Sequence, residues 1–168
     1  MISQTLEHPI PRDVVAPSAS WREVLRRASV SGTVAALTSG LTVALLARRR
    51  TGHLASGPNA TSHVLWGESA GCCHEVDLRH TGVGAAIHHA SGVFWAAGFE
   101  WLLATRRRPH PIVAATAVTA AAYVVDYHVV PKRLTPGFEL HLSGREMLGV
   151  YAALAAGLAL TAMLRNRR

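Results

Sequence analysis

The sequence predicts an all-α protein: an integral membrane four-helix bundle with a short interfacial helix in its first long connection. Two observations carry the fold class. Hydrophobic residues make up 49% of the 168, charged residues only 16%, and the mean hydropathy is +0.21. The charge is also clustered. Arg48–Arg50, Arg106–Arg108 and the terminal Arg165, Arg167 and Arg168 stand at the ends of long Ala/Val/Leu/Gly runs, the pattern of membrane spans closed by basic anchors. A third observation gives the bundle a polar interior. His88, His89 and Glu100 fall inside one of the apolar runs, and ionisable groups at membrane depth mark function or a buried partner because they are costly there.

Taken in order, residues 1–17 carry Pro9, Pro11 and Pro17 among short fragments and read as a flexible tail, with 18–168 as a single four-span domain. The first long apolar run starts near Val30, too late for a secretory signal peptide. Ser20-Trp21-Arg22-Glu23 fits a capping box, and Trp21 stands where an interfacial aromatic anchor would. Span one covers about 30–47, ends at Arg48–Arg50, and offers Gly32 and Gly40 for close helix packing. Residues 51–81 form a long connection, of a length uncommon unless it is functional or folded in its own right. Within it, Pro58 followed by Ala60–Trp66 suggests the interfacial helix, anchored by Trp66.

Span two covers about 82–103 with Thr81 as its cap, and span three about 112–130, stopped by Pro131. A connection containing a Pro136-Gly137 turn leads to span four, about 147–164. Four spans place both termini on one side, and Lys and Arg are more numerous there, ten against seven. That bias puts the termini in the cytoplasm. The preference for Arg over Lys and the abundance of Ala suggest a bacterial protein, hence an inner (plasma) membrane location. The net charge of +7 sits on residues that cap apolar segments, which points to lipid and not to nucleic acid as the partner of the basic clusters.

Eight of the ten histidines lie at the end opposite the termini. The core of the candidate site is His88, His89, Asp126 and His128, with His63 as a further candidate. Imidazole and carboxylate at one level of a bundle suit a metal ion, and imidazoles from neighbouring spans suit haem. Glu100 lies ~16 Å along the helix from His89, too far to share an ion, and belongs to a proton path or to helix packing. The competing readings are a transport or proton-relay component and a structural subunit, in a homo-oligomer or larger membrane complex, whose polar groups only fix helix packing.

The two cysteines, Cys72 and Cys73, are adjacent and imply no disulfide framework. With His74 and Glu75 they form a weak metal-donor set. Gly67-Glu68-Ser69-Ala70-Gly71 matches the pattern of a nucleophile elbow, but nothing around it reads as the strand that such an elbow requires. No phosphate-cradling loop or dinucleotide fingerprint occurs. Whether the chain is an enzyme is left open by its sequence.

Overall fold

The first helix is built from a stripe of small side chains. Ala28, Gly32, Ala35, Ala36, Ser39, Val43 and Ala47 recur at three- and four-residue spacing along α1 (Trp21–Thr51), and all are buried, as one face of a helix requires. A computed structural model describes residues 19–105 and 109–167. The expected tail at 1–17, the Arg106–Arg108 cluster and Arg168 lie outside the described residues. α1 extends well past the expected 30–47 in both directions. Ser20 caps it by accepting from the Glu23 amide at 3.3 Å. The Glu23 carboxylate does not close the expected capping box; it binds Arg26 and Arg27 one turn on. At the other end Arg48–Arg50 occupy the last turn before Gly52 caps it, where cations suit the helix dipole.

α1 packs along α4 (Val83–Ala104) and α6 (Gly144–Asn166), and α5 (Pro111–Val124) packs along α6 and α4. The small stripe sets the distance between α1 and α4. A Cβ added to Gly32 would lie 2.6 Å from Cα of Val93, so the two backbones touch. A second tie is polar: the Thr38 hydroxyl is 3.0 Å from the Ala153 carbonyl of α6. The core between the helices holds Phe99, Leu154 and Leu158 with many alanines.

No strand occurs among the described residues. Three helices are long and apolar enough to cross a membrane: Trp21–Thr51, Pro111–Val129 and Gly144–Asn166. The second expected span, α4, has 22 residues and the length to cross. His88, His89 and Glu100 lower its hydropathy and keep it out of that set.

The helix ends differ from expectation in instructive ways. Thr81 does not cap α4. A π-helical turn, Leu78–Gly82, precedes that helix and is capped by Asp77. Thr81 instead donates to the Asn59 side chain at 2.6 Å. α5 begins with Pro111 behind His110 and runs into a second π turn, Val125–Val129. α6 carries a full capping box, Ser143 with Glu146, and Glu146 also takes a bidentate ion pair from Arg50 at 2.9 and 3.1 Å. That pair joins the end of α1 to the start of α6.

The first long connection folds against the helices. α2 (Ser56–Thr61) is wedged against α1 and α4, with Ser56, Gly57, Asn59, Ala60 and Thr61 buried. It is followed by α3 (His63–Trp66), a 3-10 turn at Glu68–Cys72, and the π turn. The expected single helix over Ala60–Trp66 is therefore two short ones. The first is interior to the protein, and only the second leaves Leu65 and Trp66 exposed. The Pro136-Gly137 turn is present. Gly137 has φ +81°, and a Cβ there would lie 2.5 Å from the Ala60 carbonyl oxygen. Only glycine lets this turn lie on α2, and it delivers the buried Phe138 against Val43, Met147 and Val150.

Candidate functional site

At the end of the helices opposite the described termini, the two connections close over a cavity of about 180 Å³. Asp126 reaches it from the π turn after α5, and Tyr151 from α6 donates to its Oδ2 at 2.6 Å. His88, Ser91 and Trp95 of α4 form one wall, while Thr135 and Phe138 come from the roof. Thr61 of α2 completes the lining. Its hydroxyl is buried with no hydrogen-bond partner among the described residues. A second cavity of about 200 Å³ lies next door and shares Thr61, His88 and Phe138.

The electrostatics of the first cavity are one-sided. Neither Lys nor Arg is among its lining residues. Glu139, hydrogen-bonded by the Thr135 hydroxyl, lies within electrostatic reach of Asp126. Arg133, in the roof connection, is committed elsewhere, donating to the carbonyls of Val64 and Leu65 at 3.0 and 2.9 Å. The rings of Trp95, Phe138, Tyr151 and His88 share the lining with the aliphatic Val64, Ile87, Leu134, Val150 and Leu154.

Of the residues expected at the site, His88 and Asp126 line one cavity. The others are dispersed. His88 Nε2 is 3.1 Å from the Ala36 carbonyl and 3.1 Å from the Ser39 hydroxyl of α1. A carbonyl only accepts, so this nitrogen carries the proton. His89 Nε2 is 2.9 Å from the Thr33 hydroxyl, which itself donates to the Ser29 carbonyl. Nε2 of His89 is therefore also a donor. Both adjacent histidines spend Nε2 on holding α4 to α1, which leaves the lone pair of each neutral ring on Nδ1. His128 is exposed and meets the Tyr123 ring at 5.8 Å. His63 is buried with Nδ1 2.9 Å from the Ala60 carbonyl and Nε2 3.2 Å from that of Lys132, tying α3 to the roof. Among the described residues no three His, Cys, Asp or Glu side chains are grouped as a metal ion requires.

Three loop histidines form a row of their own. His53 stacks on His74 at 5.4 Å, and His74 meets His141 at 6.1 Å. Burial and the neighbouring His74 push the His141 imidazole below its ordinary range. Glu100 lies at the opposite end of α4, 1% exposed, and receives two hydrogen bonds from Arg165 at 3.0 and 2.9 Å. It is an ion-pair residue between α4 and α6. Ser69 sits in the 3-10 turn with its hydroxyl directed to the Trp66 carbonyl, and no strand leads into it. Trp21 and Trp66 are exposed, and Arg79 lies over the Trp66 ring at 4.6 Å.

Sequence reasoning missed Tyr151, Trp95 and Thr61 as cavity residues. Tyr151 was the one with a signal, a lone polar aromatic inside an otherwise apolar span. Comparison with protein-family models, curated proteins and solved structures finds no match. The function must be argued from the cavity itself.

Proposed function

We propose that the chain is a four-span protein of a bacterial inner membrane, with both termini cytoplasmic, whose roofed cavity binds a small organic cation such as an amine. The carrying observation is the lining of that cavity: a hydrogen-bonded carboxylate, the rings of Trp95, Phe138 and Tyr151, and no Lys or Arg among the lining residues. A carboxylate beside aromatic faces attracts an ammonium group by charge and by the ring quadrupoles, and a few convergent polar groups in an apolar cavity are the usual form of a small-ligand site. The orphaned Thr61 hydroxyl adds a hydrogen-bonding group that a ligand would satisfy. An organic cation suits this lining better than a metal or haem, because no three His, Cys, Asp or Glu side chains are grouped among the described residues and the carboxylate shares the cavity with aromatic rings. Support for the fourth span comes from its packing along α1 and from the pairing of Glu100 with Arg165. The bilayer accounts for the exposed Leu37, Leu41, Leu45, Phe94, Ile112, Leu148 and Leu160 on the long helices.

Calorimetric titration of the detergent-purified protein with tetramethylammonium and methylammonium chloride tests this, with sodium chloride as the reference. Saturable binding is expected, weakened at least tenfold in Asp126→Asn, which keeps the shape and an acceptor for Tyr151. His128→Ala should leave it unchanged. No saturable binding, or equal binding in Asp126→Asn, would refute the assignment.

A further inference from the structure

On the connection outside the cavity, three side chains that the sequence scatters over eight positions come into line. Cys73 Sγ is 3.7 Å from His80 Nε2, and His80 Nδ1 is 2.7 Å from Asp77 Oδ2. We propose that Cys73 is a histidine-activated thiol that exchanges with small disulfides, with His80 as its base and Asp77 as the group that orients His80.

The proton inventory fixes the roles. Asp77 can only accept, so Nδ1 of His80 carries a proton and Nε2 of the neutral ring presents its lone pair to the thiol. Transfer of the thiol proton to Nε2 gives a thiolate beside an imidazolium, whose charge Asp77 balances. The His80 hydrogen bonds hold the Asp77 carboxyl below the usual carboxylate range, so it is ionised when the ring needs it. The alternative acceptor for the thiol is the Ser69 carbonyl, also at 3.7 Å; it competes for the proton but cannot take it. Asp77 is the charged group on one side of the ring and Cys73 the titratable group on the other, while the Arg79 guanidinium turns to Trp66.

The arrangement is held from below. Asn59, fully buried on α2, donates to the carbonyls of Cys73 and Glu75 at 2.9 Å each and accepts from Thr81. One side chain thus fixes both the extended segment bearing the thiol and the turn bearing the base. In the exchange, the Cys73 thiolate attacks one sulfur of a disulfide R–S–S–R′. A Cys73–S–S–R bond forms, the original S–S bond breaks, and R′S⁻ leaves with the proton from His80. The electron pair of the broken bond departs on R′S⁻ and the thiolate supplies the pair of the new one, so no further oxidant is needed.

Full-length Cys72→Ser and Cys73→Ser proteins, each with one thiol, would be mixed in detergent with an aromatic disulfide reagent that releases a coloured thiolate. Cys72 is the more exposed of the two, so accessibility alone favours it. The proposal expects the reverse: Cys73 reacts about tenfold faster at neutral pH, the gain a largely ionised thiol allows. Its rate should fall on the acid side at a lower pH than for Cys72. In the Cys72→Ser background, His80→Gln should remove both differences, and Asp77→Asn part of them. A disrupted loop would expose Cys73 and speed its reaction, the opposite sign. A Cys73 rate no greater than that of Cys72, or one indifferent to His80→Gln, would overturn the assignment.

Discussion

Arg165→Ala is expected to cost about 3 kcal/mol, more than Glu100→Gln, although Glu100 is the residue in the interior. Breaking a buried ion pair by removing one partner strands the other charge, and the penalty is set by which charge is stranded. The Glu100 side chain is fully buried, whereas a third of the Arg165 side chain is exposed. Removing the arginine leaves a carboxylate inside the protein with no donor. Removing the carboxylate's charge leaves an arginine at the last turn of α6 that can extend towards water, for about 1–2 kcal/mol. The double variant Glu100→Leu/Arg165→Leu should recover most of the loss, since both desolvation costs disappear together. Thermal melts of the four proteins in one detergent test this ordering. Equal losses in the two single variants, or a double variant worse than either, would show that the pair is not what holds α4 to α6 at this end.

The same pair shows why only part of the structure was legible in the sequence. Apolar runs interrupted by charge located all four long helices, because a run long enough to be buried along its length leaves few other options. The composition of α4 revealed that it carries polar groups inside. What those groups touch was hidden, since partners across a bundle depend on the register between helices. Arg165 looked like one more basic anchor of the tail, and the partners of His88 and His89, Ser39 and Thr33, looked like ordinary small packing residues. Asp126 faces the cavity while His128 is exposed, as their two-residue spacing on one helical turn implies. The burial of α2 was hidden for a different reason: Ser56, Gly57, Asn59 and Thr61 are polar or small, and the segment read as an interfacial helix and its approach, not as interior. Ser56 and Asn59 are interior because their polar groups find partners, Ser56 in Thr51 and His74 and Asn59 in three groups of the connection.

Gly84→Ala is the second change with a large expected effect, and it acts on that same buried segment. A Cβ at this position would lie 1.9 Å from the Pro58 carbonyl oxygen and 3.0 Å from its carbon. The obstacle is backbone, so no rotamer relieves it, and either α4 or α2 must move. The expected cost is about 3 kcal/mol, the upper end for overpacking. Gly149→Ala is the matched control. It lies within α6 with nothing within 4 Å of its added Cβ, and should stabilise by about 0.5 kcal/mol through helix propensity. The two variants make opposite predictions from the same substitution, so a melt separates close approach from propensity. Gly84 also borders the hollow shared by Thr61 and His88. Displacing α2 there should weaken tetramethylammonium binding as well as lower the melting temperature, while Gly149→Ala leaves binding intact. If Gly84→Ala lowered stability but bound the cation as tightly as the unaltered protein, α2 would be a packing element only, and Thr61 would have no part in the site.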